Sequence, residues 1–150
     1  MQQLNQGATL QNGKYRIEKV LGQGGFGITY LATQTVLGNK VAIKELFMQG
    51  INDRHDGMVT VSNNANSNLF THQKRKFVKE AQRIAGLNNK HIVKVYNMIE
   101  ENNTAYYVMD YIDDESLQDV ITHHHEALPE SCVKDYLSQI LSALSAIHQQ

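Results

Sequence analysis

A chain of 150 residues, 41% hydrophobic and 19% charged, has the size and composition of one globular domain, and a formal net charge of −1 with no dense Lys/Arg block argues against nucleic acid or anionic lipid as a partner. The single cysteine, Cys132, excludes an internal disulfide, and the N-terminus lacks the charged start and apolar core of a secretory signal, so a reducing, cytoplasmic setting is expected. No stretch approaches the roughly 20 apolar residues that span a bilayer, so no membrane segment is expected in this chain.

Residues 1–14 read as an N-terminal tail. From Tyr15 to Leu46 come three short β-rich runs, YRIEKVLG, ITYLATQTV and KVAIKEL, broken by glycines and by the turn LGNK, which predicts three consecutive antiparallel strands. Residues 47–68 scatter Asn52, Asn63, Asn64, Asn66 and Asn68 among Gly, Asp and Ser without an apolar period, and are expected to be a long mobile insertion. A helix is predicted from near Leu69, where Phe70, Phe77, Ala81, Ile84 and Ala85 mark one face and Lys74, Lys76, Lys79 and Arg83 the other. Two further strands, HIVKVYNMIE and TAYYVMDYI, flank the turn ENN. After IDDES a short helix is expected over Leu117–His124. A longer one begins near Pro129, with Val133, Leu137, Ile140, Leu141, Leu144 and Ile147 as its apolar stripe.

Three groups of residues carry chemistry. Gly22-Gln23-Gly24-Gly25-Phe26-Gly27 fits G-x-G-x-x-G, a pattern shared by two unrelated architectures. In a dinucleotide fold these glycines open a helix; here Ile28, Thr29 and Tyr30 favour a strand, leaving a backbone loop able to lie over phosphates. Val41-Ala42-Ile43-Lys44 alternates as a strand and places Lys44 on the face of Ala42, 17 residues after Gly27 and beneath the loop if one hairpin intervenes. Glu80, on the amphipathic helix, is the carboxylate best placed to hold that lysine; Glu18, Glu45 and Glu100 are rivals that lie off the helix. His123, His124 and His125 point in different directions on a helix and lack a Cys/His partner set, so no metal site is expected. Tyr106, Tyr107 and Tyr111 are read as core and hinge packing rather than base-stacking residues.

With LGQGGFGITYLA, VAIKE and FVKEAQRIAGLNNKHIVKVYNMIEENNTAYYVMDYIDDESL on the page, the chain from about Tyr15 onward resembles the eukaryotic-like (Hanks-type) serine/threonine protein kinases of bacteria. The resemblance implies an α+β fold: a kinase N-lobe over residues 15–112, with a five-stranded antiparallel sheet and one regulatory helix, followed at 113–150 by the hinge and two helices of a truncated C-lobe. It implies ATP as the bound nucleotide, with Leu21, Thr29, Ala42 and Val93 lining the adenine pocket, Met109 as gatekeeper, and Asp110 and Ile112 offering hinge backbone groups. Gly22, Gly24, Phe26 and Gly27 would cover the phosphates, Lys44 would bind them and Glu80 would orient Lys44. Thr29 stands where the family usually has valine, and NNKHIV replaces HPNIV. H-R-D, D-F-G and A-P-E are absent, so the Mg2+ ligands are expected outside these residues, and the 150-residue chain alone is expected to be inactive toward a protein substrate. The stripe at 133–147 is then open to self-association. The alternative is a non-enzymatic half-kinase or pseudokinase that binds nucleotide or a partner.

Overall fold

The computed structural model describes residues 2–124 and 127–149. Its main sheet is antiparallel, with β1 (Thr9–Leu10), β2 (Tyr15–Gln23), β3 (Gly27–Gln34), β4 (Lys40–Leu46), β7 (Val95–Glu101) and β8 (Thr104–Asp110) in the order β1-β2-β3-β4-β8-β7. The expected α+β architecture is therefore present, but with six strands in this sheet rather than five. The sixth, β1, comes from the supposed tail: Leu4 and Leu10 are buried in the core, and β1 returns into β2 through Gln11, Asn12 and Gly13, all at positive φ.

The insertion also differs from expectation. Residues 47–68, expected to be a mobile connection without elements, contain the hairpin β5 (Asn52–His55) and β6 (Met58–Val61), and α1 (Asn64–Ala85) begins inside the same stretch. Phe47, Met48 and Val59 are core residues. The turn between β5 and β6 is Asp56-Gly57, with φ of 47° and 83°, the Asp-Gly chemistry that favours a tight two-residue hairpin. Asn102 and Asn103 make the matching turn between β7 and β8, at φ of 55° and 60°. Asn63 caps α1 by accepting a hydrogen bond from the Asn66 N–H, which accounts for a helix start earlier than Leu69.

Strand alternation gives the sheet two functional faces. Ile28, Tyr30, Ile43, Glu45, Tyr106 and Val108 fall on one face and are almost completely buried. Thr29, Leu31, Lys44, Tyr107 and Met109 fall on the other, where Phe77 of α1 packs against Tyr107 with ring centroids 4.9 Å apart. Of the predicted helical stripe, Phe70, Phe77 and Ala81 are buried, whereas Ala85 is exposed.

Beyond the sheet, α2 (Leu117–His123) opens with a Ser116/Asp119 capping box, and α3 (Glu130–His148) follows Pro129, which sits at the cap rather than at the first helical position. Neither helix has a buried residue, and the six apolar residues of the α3 stripe are between 40% and 62% exposed. Asn89 ties the main body to α3 through hydrogen bonds to the Ser142 carbonyl and hydroxyl at 3.2 and 3.1 Å.

Candidate nucleotide site

Lys44 projects from β4 beside Thr29 of β3 and Tyr107 of β8, its register partners on either side. Lys44 Nζ lies 3.2 Å from Glu80 Oε1, so the predicted pairing is present although the two residues are 36 positions apart and a hairpin intervenes. Phe77 anchors this part of α1 on Tyr107, and Glu80, one turn further on, is thereby held over β4. With the two side chains 35% and 49% exposed, the pair contributes only about 0–1 kcal/mol, so its role is orientation rather than stability.

A third residue completes the pair. The Tyr107 hydroxyl donates to the same Glu80 Oε1 at 3.1 Å, and Lys44 Nζ lies 5.6 Å from the Tyr107 ring centroid. Burial alone would lower the Lys44 pKa, but Tyr107 and Glu80 outweigh it and the ammonium is held above its ordinary value. Burial pushes the Tyr107 hydroxyl up, against the opposing pull of Lys44. From sequence Tyr107 is expected to pack in the core, as it does; its two-residue spacing from Met109 is the signal that also puts it on the Lys44 face.

Above Lys44 lies the glycine segment. A Cβ added at Gly22, Gly24 or Gly25 would meet nothing within 4 Å, so the loop backbone faces open space. At Gly27 a Cβ would lie 2.8 Å from the Glu45 carbonyl oxygen, so this glycine is required by strand packing. Gly22, Gly24, Phe26, Gly27, Thr29, Lys44 and Glu80 share one cavity, to which α1 adds Gln73 and Lys76, neither expected there from sequence.

The expected adenine residues are not gathered in the same way. Val93, Asp110 and Ile112 line a second cleft, together with Tyr136 and Ile140 of α3, while Leu21, Ala42 and Met109 line neither cavity. Ala42 is buried in register with Met109, and Leu21 is exposed. The Asp110 N–H already donates to the Lys94 carbonyl at 3.0 Å, and its carboxylate accepts from the Lys94 N–H and the Tyr96 hydroxyl. Among the described residues no group of three His, Cys, Asp or Glu side chains converges on a point that could hold a metal ion. His123 pairs with Glu115 at 2.9 Å, and His125 lies outside the described residues.

A strand–glycine loop–strand unit, a lysine on the next strand and a helical glutamate paired with that lysine are the arrangement of a protein-kinase fold. The protein kinase domain family matches residues 15–150, and the chain belongs to that family. It is 34% identical over 138 residues to the serine/threonine-protein kinase PrkC of Bacillus subtilis (strain 168), covering 92% of this chain and 18% of that protein. PpkA-294 in its apo form has the same fold, with a TM-score of 0.82 at 24% identity over 90% of this chain and 48% of that one. Rad53 1-466, solved in complex with AMP-PNP, gives a TM-score of 0.68 at 22% identity over 92% of this chain and 31% of that one. The chain thus spans less than a fifth of PrkC and about half of the PpkA chain.

Proposed function

We propose that this chain is the ATP-holding part of a serine/threonine protein kinase that works in the cytoplasm and transfers the γ-phosphate of ATP to Ser or Thr hydroxyls of a protein substrate, with residues 15–112 as its N-lobe and 113–150 as the hinge and the beginning of its C-lobe. One observation carries the reading: Lys44 Nζ, held at 3.2 Å by Glu80, shares a cavity with glycines whose outer faces are open. Phosphates fit that arrangement. Lys44 would take the α- and β-phosphates, the backbone from Gly22 to Gly27 would cover them, and Glu80 with Tyr107 would keep the ammonium from swinging to solvent. Asp110, through its carbonyl, and Ile112 would meet the adenine edge, with Leu21, Thr29, Ala42, Val93 and Met109 around the ring. AMP-PNP, the ligand of the Rad53 structure, has the same nucleoside and phosphate chemistry.

Mg2+ does not fit the residues present, since among the described residues no convergent ligand set exists. No described helix is long and apolar enough to cross a membrane. Self-association through 133–147 belongs to the same proposal, resting on the exposure of that stripe.

Calorimetric titration of the chain with ATP and with NAD tests the assignment. ATP is expected to bind and NAD not, and Lys44→Ala should weaken ATP by about tenfold or more, the worth of one contact between charged groups. Equal binding of NAD, or ATP binding indifferent to Lys44→Ala, would overturn it.

A further inference from the structure

Two charged groups outside the phosphate site are removed from water: Glu45 is fully buried, and the Arg54 side chain is 4% exposed. Compared with apolar residues of similar volume, a buried ion pair contributes little to stability, so its reason is to be sought in geometry. All three nitrogens of the Arg54 guanidinium are engaged. Nη2 donates to Glu45 Oε1 at 2.5 Å, Nη1 to the Gly57 carbonyl at 2.7 Å and Nε to the Gln2 carbonyl at 2.9 Å, while the group lies 5.4 Å from the Phe47 ring centroid. Glu45 Oε2 accepts from the Tyr30 hydroxyl at 2.7 Å, and that hydroxyl accepts from the Leu4 N–H at 3.1 Å.

From this one guanidinium, three routes lead to the glycine loop. Gln2, held by its carbonyl, accepts from Gln23 Nε2 at 3.0 Å, and its neighbour Gln3 donates to Gln23 Oε1 at 2.8 Å. Phe47, beneath Arg54, donates its N–H to the Phe26 carbonyl at 3.2 Å. Glu45, paired with Arg54, supports Gly27 through the backbone carbonyl that leaves no room for a Cβ.

We propose that Arg54, supplied by the β5–β6 hairpin, is a positioning residue that sets the height and tilt of the glycine loop over the phosphate site without touching nucleotide. The inference rests on reading that loop as a phosphate cover. The planar fork is essential, because a lysine at 54 keeps the charge opposite Glu45 but has no rigid set of donors to serve Glu45, Gly57 and Gln2 at once.

Arg54→Lys tests the proposal, with Gln3→Ala as a surface variant that removes one of the two side-chain contacts to Gln23 and leaves the buried pair intact. In Arg54→Lys, amide exchange from Gln23 to Ile28 should rise about tenfold while Val41 to Ile43 keep their protection. ATP affinity should fall about tenfold while adenosine, which has no phosphates for the loop to cover, stays within about twofold. Gln3→Ala should raise exchange at Gln23 alone. If loop exchange is unchanged, or if it rises equally across β2, β3 and β4 with ATP and adenosine weakened alike, Arg54 is only structural and the proposal is wrong. If the unmodified chain binds neither ligand, the nucleotide reading has failed instead, and the exchange measurement still decides what Arg54 does to the loop.

Discussion

Gly27 and Gly25 both belong to the glycine-rich segment Gly22–Gly27, yet the sheet treats them differently. Gly27 sits against the β4 backbone, 2.8 Å from the Glu45 oxygen for any added Cβ, whereas Gly25 has nothing within 4 Å. Gly27→Ala should therefore destabilise the chain by about 1–3 kcal/mol as β3 and β4 are forced apart, while Gly25→Ala should leave the unfolding midpoint nearly unchanged. Urea titrations followed by circular dichroism measure both, and equal midpoints would contradict the packing argument. The Lys44–Glu80 pair is the converse case: it contributes little to stability, but Lys44 and Tyr107 share one carboxylate oxygen of Glu80 that fixes where the ammonium points.

The elements differ in how firmly they are held. The β5–β6 hairpin is short and polar in sequence, but Asn52 and Val59 are buried, and the Val59 N–H donates to the Asn102 carbonyl at the β7–β8 turn. α1 is fastened through Phe70, Phe77 and Ala81. α3 presents its whole apolar stripe to solvent, a patch of the kind that marks an interaction surface. The chain should accordingly show a mass that grows with concentration in sedimentation. Leu137→Lys combined with Leu144→Lys should return it to the monomer without lowering the melting temperature of the sheet. A mass that stays monomeric at all concentrations for the unmodified chain would mean that this stripe has no second copy as its partner.

For the molecule as a whole, nucleotide binding and phosphoryl transfer separate. On the proposed reading the residues present would supply a phosphate cover, a cation and an orienting carboxylate, but they include no H-R-D or D-F-G segment. Kinase catalysis is largely positioning and charge neutralisation, so lacking the hydroxyl-orienting aspartate and the metal ligands should remove several tenfold factors of rate, each about 1.4 kcal/mol of barrier. Incubated with radiolabelled ATP and a generic protein substrate, this 150-residue chain should transfer no label above background. Turnover that Lys44→Ala abolishes would show the catalytic set to be more complete than these residues indicate.

Local chemistry was sufficient for much of this. Glycines followed by β-branched and aromatic residues place a strand, not a helix, after the loop; strand alternation puts Lys44 with Ala42; and the spacing from Phe70 to Ala81 predicts α1 with Glu80 on it. These are short-range effects, decided by backbone preference and side-chain period. The Asp56-Gly57 turn was equally local and readable, but the Asn-rich composition around it obscured the hairpin. Other features are long-range and could not be read in this way. β1 exists because Leu10 finds a place in the core, and the insertion is folded because Arg54 meets Glu45 and Phe47. The residues expected around adenine divide between two clefts and strand positions that line neither, according to sheet register and the placement of α3. A charge at position 54 looks solvated in sequence; only the tertiary fold, by bringing a carboxylate, two carbonyls and an aromatic ring around one guanidinium, makes its burial tolerable.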